Sequence, residues 1–244
     1  MRRPATGVDV PGALNFRDVG GLGADGGRTR SGVLFRSGNL ARVGADGARR
    51  LRELGLRRII DLRDDDEVAL EPTRLDELAL HRQRVPLFLG SAASFFTLDV
   101  TLAEMYRRLV DDFADGLVEV VRGILAEQPV LVHCTVGKDR TGVSIALALA
   151  AAGVDEDAIV ADYARSEALL PAGRNARVVA YLRAQHPEAR HLEELATRSP
   201  APVLRGLLDD LTRRYGAPAE FLRAHGVRDE EIAELRRVLV TPQG

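Results

Sequence analysis

The stretch Pro129-Val130-Leu131-Val132-His133-Cys134-Thr135-Val136-Gly137-Lys138-Asp139-Arg140-Thr141-Gly142 limits what this chain can fold into more than any other. The residues before His133 read as a short buried strand that stops at a polar loop. Val143 to Ala150 is Ala- and Leu-rich and too long for a strand, so it reads as a buried helix. The unit is strand, tight loop and helix N-terminus, with a cysteine first in the loop and an arginine six positions later. A loop entering a helix turns free backbone N–H groups toward one centre, and the helix dipole adds positive potential there. Such a centre suits a phosphate dianion, and it suits a thiolate for the same reason. The backbone of Thr135, Val136 and Gly137 would form the cradle, with Gly137 letting it come close to the anion. Arg140, at the helix start, can grip two phosphate oxygens with its planar fork. Thr141 is placed to donate its hydroxyl to the sulfur. His133 would orient and tune the loop, the plainer alternative being a buried core histidine. The plain alternative for Cys134 is a buried structural cysteine.

His133-Cys134-x5-Arg140-Thr141-Gly142 resembles the signature of cysteine-dependent phosphatases, whose thiolate attacks phosphorus to form a phosphocysteine. The inner Gly137-Lys138-Asp139-Arg140 resembles a narrower bacterial family of tyrosine and lipid phosphatases with a C-x-x-G-K-D-R loop, the atypical dual- and triple-specificity protein tyrosine phosphatases. Asn15-Phe16-Arg17-Asp18-x-Gly20-Gly21 and Phe35-Arg36-Ser37-Gly38 resemble segments near the start of that family. On their own residues, Arg17, Asp18 and Arg36 read better as a structural ion-pair network. The resemblance implies a metal-free phosphomonoester hydrolase: Cys134 attacks in line, loop N–H groups and Arg140 hold the equatorial oxygens, and a carboxylic acid protonates the leaving oxygen. The chain has no tryptophan, so the Trp-Pro-Asp loop that supplies this acid in many tyrosine phosphatases is absent. The resemblance points instead to Asp139, and it suggests that Asp61 orients Lys138 and stands as a reserve acid. Implied substrates are phosphorylated proteins or phosphoinositides. A sulfurtransferase-like loop-cysteine enzyme and a non-catalytic phosphate-binding module are the alternatives.

Composition narrows the setting. Cys134 is the one cysteine, which leaves no internal disulfide and favours a reducing compartment, so a cytoplasmic protein is expected, with signal-independent secretion left open. Of 34 Lys and Arg residues one is a lysine, Lys138, whose extra charge would suit a second phosphate on the substrate, the plainer alternative being an ammonium turned away from the pocket onto an acidic partner such as Asp61. A net charge of −2 argues against nucleic acid as a partner. Five histidines show no paired metal-ligand spacing, so neither metal nor cofactor is expected. Met1-Arg2-Arg3-Pro4 precedes no apolar run resembling a signal peptide, and no stretch is apolar and long enough to span a bilayer. Oligomeric state is not indicated.

The rest of the chain predicts an α/β fold, a central mostly parallel sheet flanked by helices, in a single domain over 1–244. Asp25-Gly26-Gly27 suggests a hairpin. Residues 46–54 read as a helix, 58–63 as a buried strand, 64–67 as an acidic helix start with no chemical role, and 81–87 as another strand. Gly90 to Asp99 reads as a loop with exposed Phe95 and Phe96, and Thr101-x-x-Glu104 as a capping box. Residues 1–153 form the α/β core, and the strand ends at Asp61-Leu62-Arg63 and His133-Cys134 would face one crevice. Beyond it, helices are expected over 156–170, 174–186, 188–198, 202–215, 217–225 and 229–240, with 201–244 packing on the core. The resemblance makes the region 154–200 a candidate mobile lid; a solvated helical face accounts equally well for Arg174, Arg177, Arg183 and Arg190.

Replacing Cys134 by Ser should abolish turnover of a phosphate ester while leaving ester binding largely intact, because the cradle is mostly backbone. Iodoacetate should inactivate the wild type, with inorganic phosphate protecting. Near-wild-type activity in the purified variant would remove the nucleophile from this reading.

Overall fold

A computed structural model describes residues 8–75, 78–87 and 93–242. The first part runs β1 (Arg17–Asp18), β2 (Gly23–Ala24), β3 (Gly27–Thr29), β4 (Leu34–Ser37), α1 (Ala45–Glu53), β5 (Arg58–Asp61), α2 (Asp65–Leu70) and β6 (His81–Arg84). It continues through α3 (Ala93–Thr97), α4 (Leu102–Asp112), α5 (Ala114–Ala126), β7 (Val130–His133) and α6 (Asp139–Ala151). Thereafter come α7 (Glu156–Ala168), α8 (Ala172–Gln185), α9 (Leu192–Thr197), α10 (Ala201–Tyr215), α11 (Pro218–Ala224), α12 (Asp229–Leu239) and β8 (Val240–Pro242).

The main sheet has the order β1-β4-β7-β5-β6, with β4, β7, β5 and β6 parallel and β1 antiparallel on β4. Successive strand residues face opposite sides, so an apolar run feeds two cores. Leu34, Ile60, Val130 and Val132 join the core with α4, α5 and α6, whereas Phe35, Ile59 and Leu131 join the smaller one with Phe16 and Leu51. The register pairs His133 with Ser37 on one side and with Asp61 on the other. Three parallel strands therefore end level, and the crevice lies beyond their carboxyl ends. The apolar, almost wholly buried α6 rises from that edge and packs against α7, α11 and α12.

Several boundaries differ from the sequence reading. The strand expected over 81–87 ends at Arg84, and the one expected over 58–63 ends at Asp61. Ala93–Thr97 is a short helix within the stretch read as a loop, whose residues 88–92 lie outside the described residues; Phe95 and Phe96 are half-buried against the core, not exposed. The helix expected over 188–198 begins at Leu192. The hairpin forms at Asp25-Gly26 as β2 and β3, and β8 pairs with β3 to make a second, three-stranded sheet. The helix expected over 229–240 ends at Leu239, and Val240 opens β8; pairing with a strand more than two hundred residues earlier in the chain leaves no local trace. Among the described residues no helix is long and apolar enough to cross a membrane.

The expected ion-pair network exists with a different carboxylate. Asp162, on α7, takes Arg17 Nε at 2.8 Å and Arg36 Nη1 at 2.8 Å, with all three side chains buried. Asp18 instead accepts the N–H groups of Gly20 and Gly32 at 2.8 and 2.7 Å, tying one turn to the next. Burial alone would raise the Asp162 carboxyl, but Arg36 and Arg17 hold it below the ordinary 3.8. Its contribution to stability is therefore fully present at neutral pH and is lost as pH falls below the ordinary carboxylate range. Removing one partner leaves buried charge uncompensated, so Asp162→Ala should cost roughly 3–5 kcal/mol. Urea denaturation should show a lower midpoint at unchanged slope.

Candidate active site

The loop between β7 and α6 is held from behind by its carbonyls. Asn39 N donates to Thr135 O at 3.0 Å, Asn15 Nδ2 to Val136 O at 3.2 Å and to Gly137 O at 3.0 Å, and Arg36 Nη2 to Gly137 O at 3.0 Å. With those carbonyls engaged on one side, the intervening N–H groups turn to the other, where Gly137 N donates to Cys134 Sγ at 3.3 Å. Gly137 is needed here on two counts: its φ is +74°, and a Cβ would lie 2.3 Å from the Ser37 backbone. Cys134 is buried, 3% exposed.

Arg140 lies at the start of α6, but a carboxylate outside the loop holds its fork. Its Nη1 donates to Glu67 Oε2 at 2.6 Å and its Nη2 to Glu67 Oε1 at 2.7 Å, while the Thr135 hydroxyl donates to the same Glu67. Burial acts to raise Glu67, yet Arg140 and then Thr135 bring it down to about 2, and Arg140 is correspondingly held more firmly protonated. The acidic run before it does start a helix, with Asp64 and Glu67 closing a capping box. Contrary to the sequence reading, the run has a further role, since the Glu67 carboxylate also fixes Arg140. The two lie 73 residues apart, and no spacing in the sequence links them.

Lys138 is 1% exposed, and its Nζ donates to Asp139 Oδ1 at 2.7 Å. Tyr106 on α4 donates to the same oxygen at 2.8 Å, and the Tyr163 hydroxyl on α7 lies 2.7 Å from that of Tyr106. Tyr163 comes this near α6 because residue 142 is glycine; a Cβ there would sit 2.9 Å from its ring. The expected Asp61–Lys138 pair is not the contact found. Asp61 takes Nε and Nη2 of the buried Arg63 at 2.9 and 2.7 Å, which outweighs burial and lowers its pKa. With both oxygens taken by Arg63, and with Asp61 not among the residues lining the cavity above the loop, it is badly placed to serve as a reserve acid. His133 is fully buried, its Nδ1 3.3 Å from Cys134 O and its Nε2 3.7 Å from Asp61 Oδ2. Burial pushes its pKa down, so the ring is neutral. Thr141 is also buried, and its hydroxyl has no hydrogen-bond partner among the described residues, so the expected bond to sulfur is not made.

A cavity of about 600 Å³ opens above the loop. Thr135, Val136, Asp139 and Arg140 line its floor, Phe95, Phe96 and Met105 its walls, and α8 contributes Arg174, Arg177 and Tyr181. Lys138 does not line it. Arg190, by contrast, is paired with Asp99 at 2.6 Å, away from the cavity. Among the described residues no three His, Cys, Asp or Glu side chains gather as a metal site.

The profile of the tyrosine phosphatase family matches residues 8–241. The chain is 31% identical to the triple specificity protein phosphatase PtpB of Mycobacterium tuberculosis over 276 residues, covering 95% of this chain and 98% of that protein. It is 30% identical to a tyrosine-protein phosphatase of Nostoc commune over 214 residues, 84% of this chain and 73% of that one. Among solved structures, that of Pseudomonas aeruginosa TpbA aligns with a TM-score of 0.40 at 20% identity, over 75% of this chain and 89% of that one.

Glu67 grips both terminal nitrogens of Arg140 and so fixes where the guanidinium lies. Glu67→Gln should therefore lower kcat/KM for an aryl phosphate by about tenfold or more and raise KM, since a charge-assisted fork becomes a neutral one. Tighter binding of inorganic phosphate by the variant would show instead that Glu67 competes for the cradle.

Proposed function

The chain belongs to the tyrosine phosphatase family and is a protein phosphatase; we propose that it hydrolyses phosphomonoesters without a metal, through a phosphocysteine on Cys134. The observation that carries this reading is the sulfur at the head of α6, 3.3 Å from Gly137 N, in the same loop that positions Arg140. The Cys134 thiolate attacks phosphorus, the P–S bond forming as the P–O ester bond breaks. Backbone N–H groups of Thr135 to Gly137 and the Arg140 guanidinium take the charge on the equatorial oxygens. Asp139 gives its proton to the leaving oxygen, then takes one from the water that cleaves the phosphocysteine, so the thiolate and the acid are both regenerated. His133, buried and neutral, supports the loop and takes no proton.

Phosphotyrosine is the proposed principal substrate, with phosphoserine or phosphothreonine and phosphoinositides as further ones. Phe95, Phe96 and Met105 suit an aromatic ring. A second anionic group would meet Arg174 and Arg177 rather than Lys138, whose ammonium is buried against Asp139. None of the fourteen residues of α8 is buried, which supports its movement as a lid to admit substrate. A nucleophile that must remain a thiol suits the cytoplasm, and the proposed partners are phosphorylated substrates rather than nucleic acid.

Pure protein in the presence of a chelator should hydrolyse p-nitrophenyl phosphate; no turnover would overturn the reading. Asp139→Asn should lose roughly 10²–10⁴ in kcat/KM on alkyl phosphates and little on highly activated aryl phosphates. Should Asp61→Asn show that selectivity and Asp139→Asn not, the acid would be reassigned.

A further inference from the structure

We propose that Tyr106, backed by Tyr163, is a positioning residue that decides which oxygen of Asp139 carries the proton handed to the leaving group. The inference rests on the reading of Asp139 as the general acid and adds to it two residues from distant helices, α4 and α7.

Two donors converge on one atom. Lys138 Nζ lies 2.7 Å from Asp139 Oδ1, and Tyr106 Oη lies 2.8 Å from that same Oδ1. A carboxylate oxygen offers two lone pairs, so Oδ1 is fully occupied. Neither donor is free to leave. Tyr106 is 0% exposed and Lys138 is 1% exposed, so water cannot replace Asp139 as their acceptor. No hydrogen bond from a described residue reaches Oδ2, and Asp139 lines the cavity. A proton that binds Asp139 therefore goes to Oδ2, on the oxygen left for the substrate.

The direction of the chain follows from the same contacts. An ionised carboxylate has no proton to give, so Tyr106 must donate to Oδ1, and its own oxygen must accept from Tyr163 at 2.7 Å. The two rings meet edge to face at 80° with centroids 6.2 Å apart, which locks both hydroxyls. Burial and the charge of Asp139 push Tyr106 well above 10, and burial raises Tyr163 as well. Both phenols stay protonated, and neither competes with Asp139 as the acid. In the forward step the Oδ2 proton passes to the ester oxygen as P–O breaks and P–S forms. Oδ1 keeps both donors throughout, which stabilises the carboxylate being produced. In the second step the attacking water returns a proton to Oδ2.

The plain alternative is that the two tyrosines only fill the core between α4, α6 and α7. Tyr106→Phe separates the two, since it keeps the ring and removes one hydroxyl. On an alkyl phosphate its kcat/KM should fall about tenfold, part of the roughly 10²–10⁴ that general-acid help supplies. On 2,4-dinitrophenyl phosphate, whose leaving group needs no proton, kcat/KM, which does not report the later cleavage of the phosphocysteine, should stay within about twofold of wild type. In the Asp139→Asn background, Tyr106→Phe should add no further loss, because the two residues act through one atom. Tyr163→Phe should give the same selectivity with a smaller loss. Equal losses on the two substrates, or additive losses in the double variant, would reduce the pair to core packing and overturn the proposal. If Asp139→Asn is selective and Tyr106→Phe is not, the positioning role alone falls. If Asp139→Asn itself shows no leaving-group selectivity, the acid assignment falls and takes this inference with it.

Discussion

The hydrogen bonds that capture the backs of three consecutive carbonyls, Thr135, Val136 and Gly137, are the constraint on which the rest of the site depends. A loop of this length can present its N–H groups to an anion only if its carbonyls find donors elsewhere. Those donors come from the segments around β1 and β4, which are level with the loop because the parallel register aligns Ser37 with His133. Arg36, one of them, is in turn positioned by Asp162. The path from α7 through Asp162 and Arg36 to Gly137 thus makes the shape of an anion cradle depend on a buried carboxylate well removed from any substrate.

Charge around the loop is arranged mainly in pairs. Arg140 faces Glu67, Lys138 faces Asp139, and Arg63 faces Asp61. The exception is behind the cradle, where Arg17 and Arg36 are both buried and share the single carboxylate of Asp162. An unmatched positive charge in a low-dielectric interior acts over several ångströms with little screening. Its placement under the loop favours an anion on the far side, whether thiolate or phosphate.

What could be read from the sequence was local. The strand, loop and helix around Cys134, the capping box at Thr101, the hairpin and the α/β class all depend on residues a few positions apart. Arg17 and Arg36 stood out as members of an ion-pair network, but their carboxylate, Asp162, comes from a helix more than a hundred residues later. Glu67 and the two tyrosines went unread because their roles exist only once α2, α4 and α7 meet the start of α6. Where Lys138 points is not legible for a related reason: its partner is its own neighbour, Asp139, and only burial shows that the ammonium turns inward instead of reaching for substrate. Thr141 shows the limit of transferring a role by position, since its hydroxyl lies buried without reaching the sulfur.

The buried ammonium has a consequence beyond the geometry of the loop. Lys138 is the one lysine of the chain, so its Nζ is the one side-chain amine, and it is enclosed at 1% exposure with a carboxylate at 2.7 Å. Enzymes that acetylate, methylate or conjugate proteins need a lysine they can reach. This surface, with arginine as its basic residue throughout, offers them no side-chain acceptor, so covalent regulation through lysine has no foothold on the folded protein.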